Sequence, residues 1–217
     1  MFTMSSIITR LQRGLLIALV CIPLTSHANI IVNGSFENND VANGRWKFMS
    51  SSLVDGWSGS NIEIWDNHRR EKAADGSQFI ELNAHGKRNG QFYNIFQQLD
   101  TVAGERYDLS FAYQARRNSN EAFKVQLFNN DNELFQDWIF DDHTKENWSF
   151  YEGGFTAKSD STRLRFVSLN RGTVGNFLDD IAVTKSKSSN IDVSEPATLF
   201  LLAVGVVALI SLKRKAS

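Results

Sequence analysis

The feature that most constrains the fold is a strict alternation of apolar and polar side chains through the middle of the chain. In residues 107–114, Tyr, Leu, Phe and Tyr alternate with Asp, Ser, Ala and Gln, and residues 123–127 and 163–166 repeat the pattern. A period of two residues is typical of a half-buried β-strand. We therefore predict an all-β domain of eight or nine strands, arranged as a jelly-roll β-sandwich. Shorter apolar runs complete the predicted strands: 30–32, 62–65, 79–82, 92–99, 134–140, 150–155 and 177–183.

Charge and composition limit the classes of partner and chemistry. Residues 29–189 contain 18 basic and 22 acidic residues, a formal net charge of −4, so we do not expect a nucleic-acid partner. The sequence has no H-E-x-x-H and no G-x-S-x-G motif. We therefore predict that the protein is not an enzyme. A pair of carboxylates placed for glycoside hydrolysis is the alternative that the sequence leaves open.

The first 28 residues have the layout of a secretory signal peptide. Arg10 and Arg13 precede an apolar segment at 15–24, and Ser-His-Ala at 26–28 resembles a cleavage site. The single cysteine, Cys21, falls inside this segment, so we expect a mature domain without disulfides. We predict a signal peptide over 1–28, a β-sandwich domain over 29–185 and a polar linker over 186–193.

The last part of the chain, residues 194–217, combines three elements in a fixed order. Ser194, Glu195 and Pro196 precede an apolar run at 197–212, and a basic stop follows, made of Lys213, Arg214 and Lys215. Sixteen helical residues would extend about 24 Å, so the predicted transmembrane helix 197–212 crosses a bilayer only marginally. The basic stop is expected on the cytoplasmic side.

This tail resembles the PEP-CTERM sorting signal of Gram-negative bacteria, with Ser194 in place of the first proline of the motif. The resemblance implies an exported protein that is held briefly in the inner membrane. An exosortase-type protease would then process it, and the product would reach the cell surface or the extracellular matrix. An ordinary C-terminal membrane anchor is the alternative.

A second resemblance covers most of residues 30–184. Asn-Gly-Ser-Phe-Glu at 33–37, Trp57, the stretch 97–111 and Phe-Leu-Asp-Asp-Ile-Ala-Val at 177–183 resemble carbohydrate-binding-module-type jelly rolls of the galactose-binding-like superfamily. The resemblance implies that the first and last strands lie close together. It also implies a structural calcium ion beside them, with Glu37, Asp179 and Asp180 as ligands.

The residues around Asp179 give this calcium prediction a physical basis. Simple alternation puts Asp179 on the same face as Phe177, Ile181 and Val183. An unpaired carboxylate on an apolar face is costly, so a cation or a hydrogen-bond network must satisfy it. In the alternative without calcium, Asp179 accepts backbone N–H bonds and Glu37 is a surface residue.

A sugar-binding surface would need exposed aromatic rings with polar groups beside them. Trp46 is the best exposed candidate because it sits between Arg45 and Lys47 in a stretch that reads as a loop, while Arg116 and Arg117 could line a rim. We expect the domain to bind a polysaccharide or matrix glycan without catalysis. The alternatives are a purely structural matrix or adhesion protein and a carbohydrate-active enzyme.

Overall fold

The described part of the protein is built almost entirely of β-strands. The computed structural model describes residues 28–86, 92–117, 121–141 and 145–187, and these contain no α-helix. The elements are β1 (Trp46–Met49), a 3₁₀ helix (Ser51–Leu53), β2 (Ser58–Gly59), β3 (Ile62–Asp66), β4 (Gln78–Glu81), β5 (Asn94–Asp100), β6 (Arg106–Ala115), β7 (Phe123–Phe128), β8 (Leu134–Phe140), β9 (Ser149–Thr156), β10 (Ser161–Ser168) and β11 (Asn176–Lys185).

The described residues form eleven strands, more than the eight or nine predicted, in two antiparallel sheets that pack face to face, which confirms the predicted jelly-roll β-sandwich. The six-stranded sheet has the order β1-β3-β4-β11-β6-β9, and the five-stranded sheet has the order β2-β5-β10-β7-β8. Alternate residues of each strand fill the space between the sheets, as the period of two requires. Aromatic rings dominate this core: the Phe111 ring centroid lies 5.0 Å from that of Tyr151, 5.1 Å from Phe140 and 5.4 Å from Phe166.

Polar turns connect successive strands. Between β5 and β6, Gly104 has a φ of +84°, and the Glu105 N–H donates to the Val102 carbonyl at 3.0 Å. Between β7 and β8, the Asn129 side chain accepts the N–H groups of Asp131 and Glu133 at 3.0 and 2.9 Å. Asparagine and glycine suit these positions because both tolerate tight turn geometry.

The start of the domain lies beside its last strand, although the predicted strand at 30–32 is reduced to a single bridge. Asn29 pairs with Thr184, and the Ile30 N–H donates to the Val183 carbonyl at 2.8 Å. The Ile181 N–H donates to the Gly34 carbonyl at 3.2 Å, and a Cβ on Gly34 would collide with the Ile181 carbonyl oxygen. Only glycine therefore fits at position 34.

A β-bulge in β11 overturns one prediction. The register with β6 shifts between Asp179 and Ala182, and Asp180 has a φ of +48°. The extra residue reverses the alternation, so Phe177 and Asp179 face away from the space between the sheets while Ile181 and Val183 belong to the main core. The expectation that Asp179 shares a face with Ile181 and Val183 is wrong for this reason.

Candidate functional site

The face of the six-stranded sheet that points away from the five-stranded sheet, here called the outer face, carries an unusual mixture of aromatic and charged side chains. Glu63 of β3 lies opposite Glu81 of β4, which in turn pairs with Phe177 of β11. Trp65, Phe79 and Phe177 form a separate aromatic cluster here, with Trp148 packed against it. The connection between β3 and β4 covers this cluster, since the Trp148 Nε1–H donates to the Lys72 carbonyl at 2.7 Å.

Glu81 and Arg116 form a buried ion pair at the centre of the outer face. One guanidinium nitrogen, Nη1, lies 2.8 and 2.7 Å from the two carboxylate oxygens, and the Gly175 N–H donates to the same carboxylate at 3.0 Å. The Arg116 guanidinium also stands over the Trp65 ring, 4.9 Å from its centroid. Burial raises the pKa of Glu81 to about 8, against the opposing effect of Arg116.

The neighbouring carboxylate, Glu63, is fully buried and satisfied by two aromatic side chains. It accepts the Trp65 Nε1–H at 3.0 Å, and its other oxygen lies 2.6 Å from Nδ1 of His85. These contacts hold the His85 ring at a fixed place on the surface. Glu63 and Glu81 are direct cross-strand neighbours, and hydrogen-bond donors from the protein itself occupy the oxygens of both carboxylates.

Three rings at the β1 edge of the outer face form what we call the aromatic platform: Trp46, Phe48 and His85. Trp46 stacks on His85 with ring centroids 5.3 Å apart and planes inclined by 23°, and Phe48 lies 6.0 Å from His85. Trp46 is 38% exposed and Phe48 is 44% exposed. Nearly parallel, solvent-facing rings provide the flat apolar surface on which the faces of sugar rings can stack.

A pocket of about 300 Å³, here called the arginine pocket, opens on the same face. Its lining residues are Trp65, Arg69, Arg70, Glu71, Arg116, Arg117 and Phe177. Of the four arginines, only Arg116 forms an ion pair with a residue in the described ranges. Guanidinium groups present several fixed N–H donors, so the pocket can bind hydroxyl or carboxylate oxygens.

The three ligand-binding residues predicted from the sequence lie close together on the outer face. Trp46 stacks on Trp65, with ring centroids 6.4 Å apart, and Trp65 lines the arginine pocket beside Arg116 and Arg117. Trp46 begins strand β1 and does not lie in a loop as the sequence suggested. β1 is a short, exposed edge strand with charged residues beside Trp46, so its sequence is as polar as that of a loop, which explains the difference.

Sequence reasoning missed several residues of this face: Glu63, Trp65, Arg69, Arg70, Glu81 and His85. One signal was available, since Glu63 and Glu81 interrupt apolar strands that are buried along their whole length. A charged residue inside such a strand must have a partner, and Arg116 and His85 supply it. The partners themselves come from distant segments, which alternation cannot reveal.

The carboxylates predicted to bind calcium anchor the connection between β3 and β4. Asp179 accepts N–H groups from Ala74 at 2.7 Å, Asp75 at 3.0 Å and Asp180 at 2.7 Å. Glu37, which is exposed, accepts those of Ser77 and Gln78 at 2.8 and 2.6 Å. Burial raises the pKa of Asp179 to about 7.

These contacts match the alternative in which Asp179 is satisfied by backbone N–H groups. Asp180 is exposed, and its pKa is raised by partial burial and by the charge of Asp75. Within the described ranges, no three acidic, histidine or cysteine side chains are grouped closely enough to hold a metal ion. The carboxylates of Asp179 and Glu37 accept hydrogen bonds from backbone N–H groups, and calcium binding at these residues stays a prediction.

The predicted signal peptide, the sorting motif, the basic stop and the helix 197–212 lie outside the described residues. Among the residues that the structure describes, no helix is both long enough and apolar enough to span a membrane. The N-terminal signal therefore stays a prediction from sequence.

The described fold is that of an all-β jelly-roll domain with a ligand-sized pocket on one outer face. The chain belongs to the family described as "Protein of unknown function (DUF642)", whose model matches residues 29–184. Residues 192–215 match the PEP-CTERM protein-sorting motif, which indicates an exported protein with a sorting tail. No curated protein matches the chain.

Three solved structures illustrate what the fold is similar to. A carbohydrate-binding module of family CBM4 shares 20% identity over 72% of this chain and 99% of its own, with a TM-score of 0.43. TmCBM61, in complex with β-1,4-galactotriose, shares 11% identity over 73% of this chain and 99% of its own, with a TM-score of 0.47. The CBM22-1 xylan-binding domain of Paenibacillus barcinonensis Xyn10C shares 16% identity over 76% and 99%, with a TM-score of 0.44.

Proposed function

We propose that this protein is an exported, exosortase-processed component of the cell surface or extracellular matrix that binds a polysaccharide without catalysis. The aromatic platform is the observation that carries the proposal. Trp46 and His85 are stacked, nearly parallel rings, partly exposed beside a pocket lined by four arginines. Stacking on the rings and hydrogen bonding to the guanidinium groups together suit a sugar chain lying across the outer face.

The platform also separates this proposal from its two rivals. A purely structural matrix protein has no need to group the exposed rings of Trp46 and Phe48 around His85, since burying exposed rings would stabilise the fold. A carbohydrate-active enzyme needs an acid and a base that can reach the substrate. Glu63 and Glu81 are fully buried, and side chains and a backbone N–H of the protein occupy their oxygens.

Replacing Trp46 with alanine tests the binding site. We expect the Trp46→Ala variant of the full-length chain to bind its preferred polysaccharide about tenfold more weakly, because one stacking surface is worth about 1.4 kcal/mol. A glycan array identifies the polysaccharide, and titration calorimetry gives the affinities. Phe150→Ala is the matched control, since Phe150 is 65% exposed at the opposite edge of the same sheet.

Two results would contradict the proposal in different ways. If the wild-type chain bound no polysaccharide on the array, the purely structural role would be favoured. If Trp46→Ala and Phe150→Ala bound equally well, the polysaccharide would contact another surface.

A change in the sorting motif tests processing. We expect Pro196→Ala, expressed in a host with an exosortase, to accumulate as full-length protein in the membrane fraction, because the protease recognises the segment before the apolar run. Fractionation and immunoblotting give the measurement, with Ala197→Ser as a mild control in the same segment. Release of the Pro196→Ala variant at the wild-type rate would show that Pro196 is not part of a processing motif. Retention of the wild-type chain in the membrane fraction would show that the tail is an ordinary anchor.

A further inference from the structure

The five-stranded sheet also has a face that points away from the core, on the opposite side of the sandwich from the outer face described above. This face carries two adjacent arginines. In β10, Leu164 and Phe166 point into the core, so Arg163 and Arg165 point outward. Two residues of a strand span about 7 Å, which puts two positive charges side by side. In the flanking strands Arg163 pairs with Gln98 and Phe128, and Arg165 pairs with Phe96 and Gln126.

No carboxylate in the described part of the chain forms an ion pair with these two arginines. Arg163 donates a hydrogen bond to the Asn132 side chain at 2.8 Å, but the Nε atoms of both arginines are buried without a hydrogen-bond partner. Burial and the charge of Arg163 lower the pKa of Arg165. Buried donors without acceptors destabilise a folded protein.

Aromatic rings hold Arg163 in place. The Arg163 guanidinium lies 4.5 Å from the Phe128 ring centroid and 5.7 Å from that of Phe96. These cation–π contacts fix its orientation without using its N–H donors. An open depression of about 190 Å³ lies here, lined by Asn94, Phe96, Arg163 and Arg165. The result is a preformed, uncompensated positive site.

We propose that Arg163 and Arg165 form a second binding surface, which takes the carboxylate groups of an acidic polysaccharide. An arginine guanidinium binds a carboxylate through two parallel hydrogen bonds, which the terminal N–H groups of the two side chains can donate. The depression is open and its lining residues come from two adjacent strands, which suits a chain lying across the strands. This surface is independent of the aromatic platform, because it lies on the other side of the sandwich.

The charge of the domain favours a polysaccharide over nucleic acid. Residues 29–189 carry a net charge of −4, and the outward positions of β10 and β7 add only Lys124 to the two arginines. Nucleic-acid binding depends on neutralising many closely spaced phosphates. A polyuronate presents one carboxylate on each sugar, and the two arginines can bind these groups. Asp137 of β8 lies on the same face, one strand beyond Gln126.

Binding of alginate and of carboxyl-reduced alginate tests the proposal. We expect the full-length chain to bind immobilised alginate, and the double variant Arg163→Gln/Arg165→Gln to bind it at least tenfold more weakly. The control Arg106→Gln/Lys158→Gln removes two exposed positive charges elsewhere and should change the affinity by less than twofold. Carboxyl-reduced alginate should not distinguish the two double variants.

Thermal unfolding separates a binding role from a structural one. Because the two arginines repel each other and leave donors unpaired, the double variant should unfold at the wild-type temperature or above it.

Equal alginate binding by both double variants, or no alginate binding by the wild-type chain, would overturn the proposal. A selective loss of binding to DNA or to phosphatidylglycerol vesicles would overturn it in favour of those ligands. Trp46→Ala in the same assay reports on the aromatic platform separately.

Discussion

Replacing Asp179 with alanine is expected to lower the free energy of unfolding by about 3 kcal/mol or more, since each unsatisfied buried N–H costs about 1–3 kcal/mol. The Asp179 carboxylate accepts the N–H groups of Ala74, Asp75 and Asp180, and the residue is fully buried. The variant leaves these donors without their acceptor. It also frees the segment that covers the aromatic cluster of the outer face. Urea unfolding followed by tryptophan fluorescence gives the measurement.

Asp180→Asn is the matched control, because Asp180 is the exposed neighbour and asparagine tolerates its positive φ. We expect this control to change the unfolding free energy by less than about 0.5 kcal/mol. Equal losses in the two variants would contradict the anchoring role of Asp179. The same unfolding curves with calcium and with a chelator test the calcium prediction: calcium should stabilise the wild-type chain and not the Asp179→Ala variant, if a calcium ion binds there.

Replacing Arg116 with methionine is expected to make the stability of the fold strongly dependent on pH. Burial raises the pKa of Glu81 from its ordinary 4.5 to about 8, so the folded chain keeps this proton where the unfolded chain has lost it. The stability that this group contributes is complete below about pH 4.5 and is lost as the pH rises through 8. Without Arg116 the ionised carboxylate has no counter-ion, so the loss becomes larger at high pH.

We expect Arg116→Met to lower the free energy of unfolding by about 3 kcal/mol at pH 9 and by much less at pH 5. Methionine keeps an apolar stem over the Trp65 ring, so lost packing is a small part of the effect. Arg117→Met is the control, because the neighbouring Arg117 is exposed and its side chain has no ion pair with a described residue. Parallel pH profiles for the two variants would show that Glu81 does not depend on Arg116.

The sequence predicts the architecture well because alternation is a local property. The apolar residues of β6, β7 and β10 identify their inward faces directly. Two errors have the same origin. The bulge at Asp180 and the edge strand that begins at Trp46 depend on pairing with another strand, which the local pattern does not contain.

The candidate site is less predictable because its contacts join distant parts of the chain. Trp46, Arg116 and Arg117 could be singled out as exposed or polar residues, but nothing local shows that Trp46 stacks on Trp65 or that Arg116 meets Glu81. Likewise, alternation places Arg163 and Arg165 on one face of a strand, but only the packed sheet shows that their Nε donors are unpaired.

The position of the last strand has a mechanical consequence. The sorting tail follows β11, and β11 lies inside its sheet, between β4 and β6. While the tail is still attached to the membrane, a pull on the domain is transmitted along β11. Eight residues of β11 are paired with β6, and the Asn29–Thr184 bridge lies near its end. Such a load must shear many hydrogen bonds at once, so this attachment resists force better than a strand peeled from the edge of a sheet.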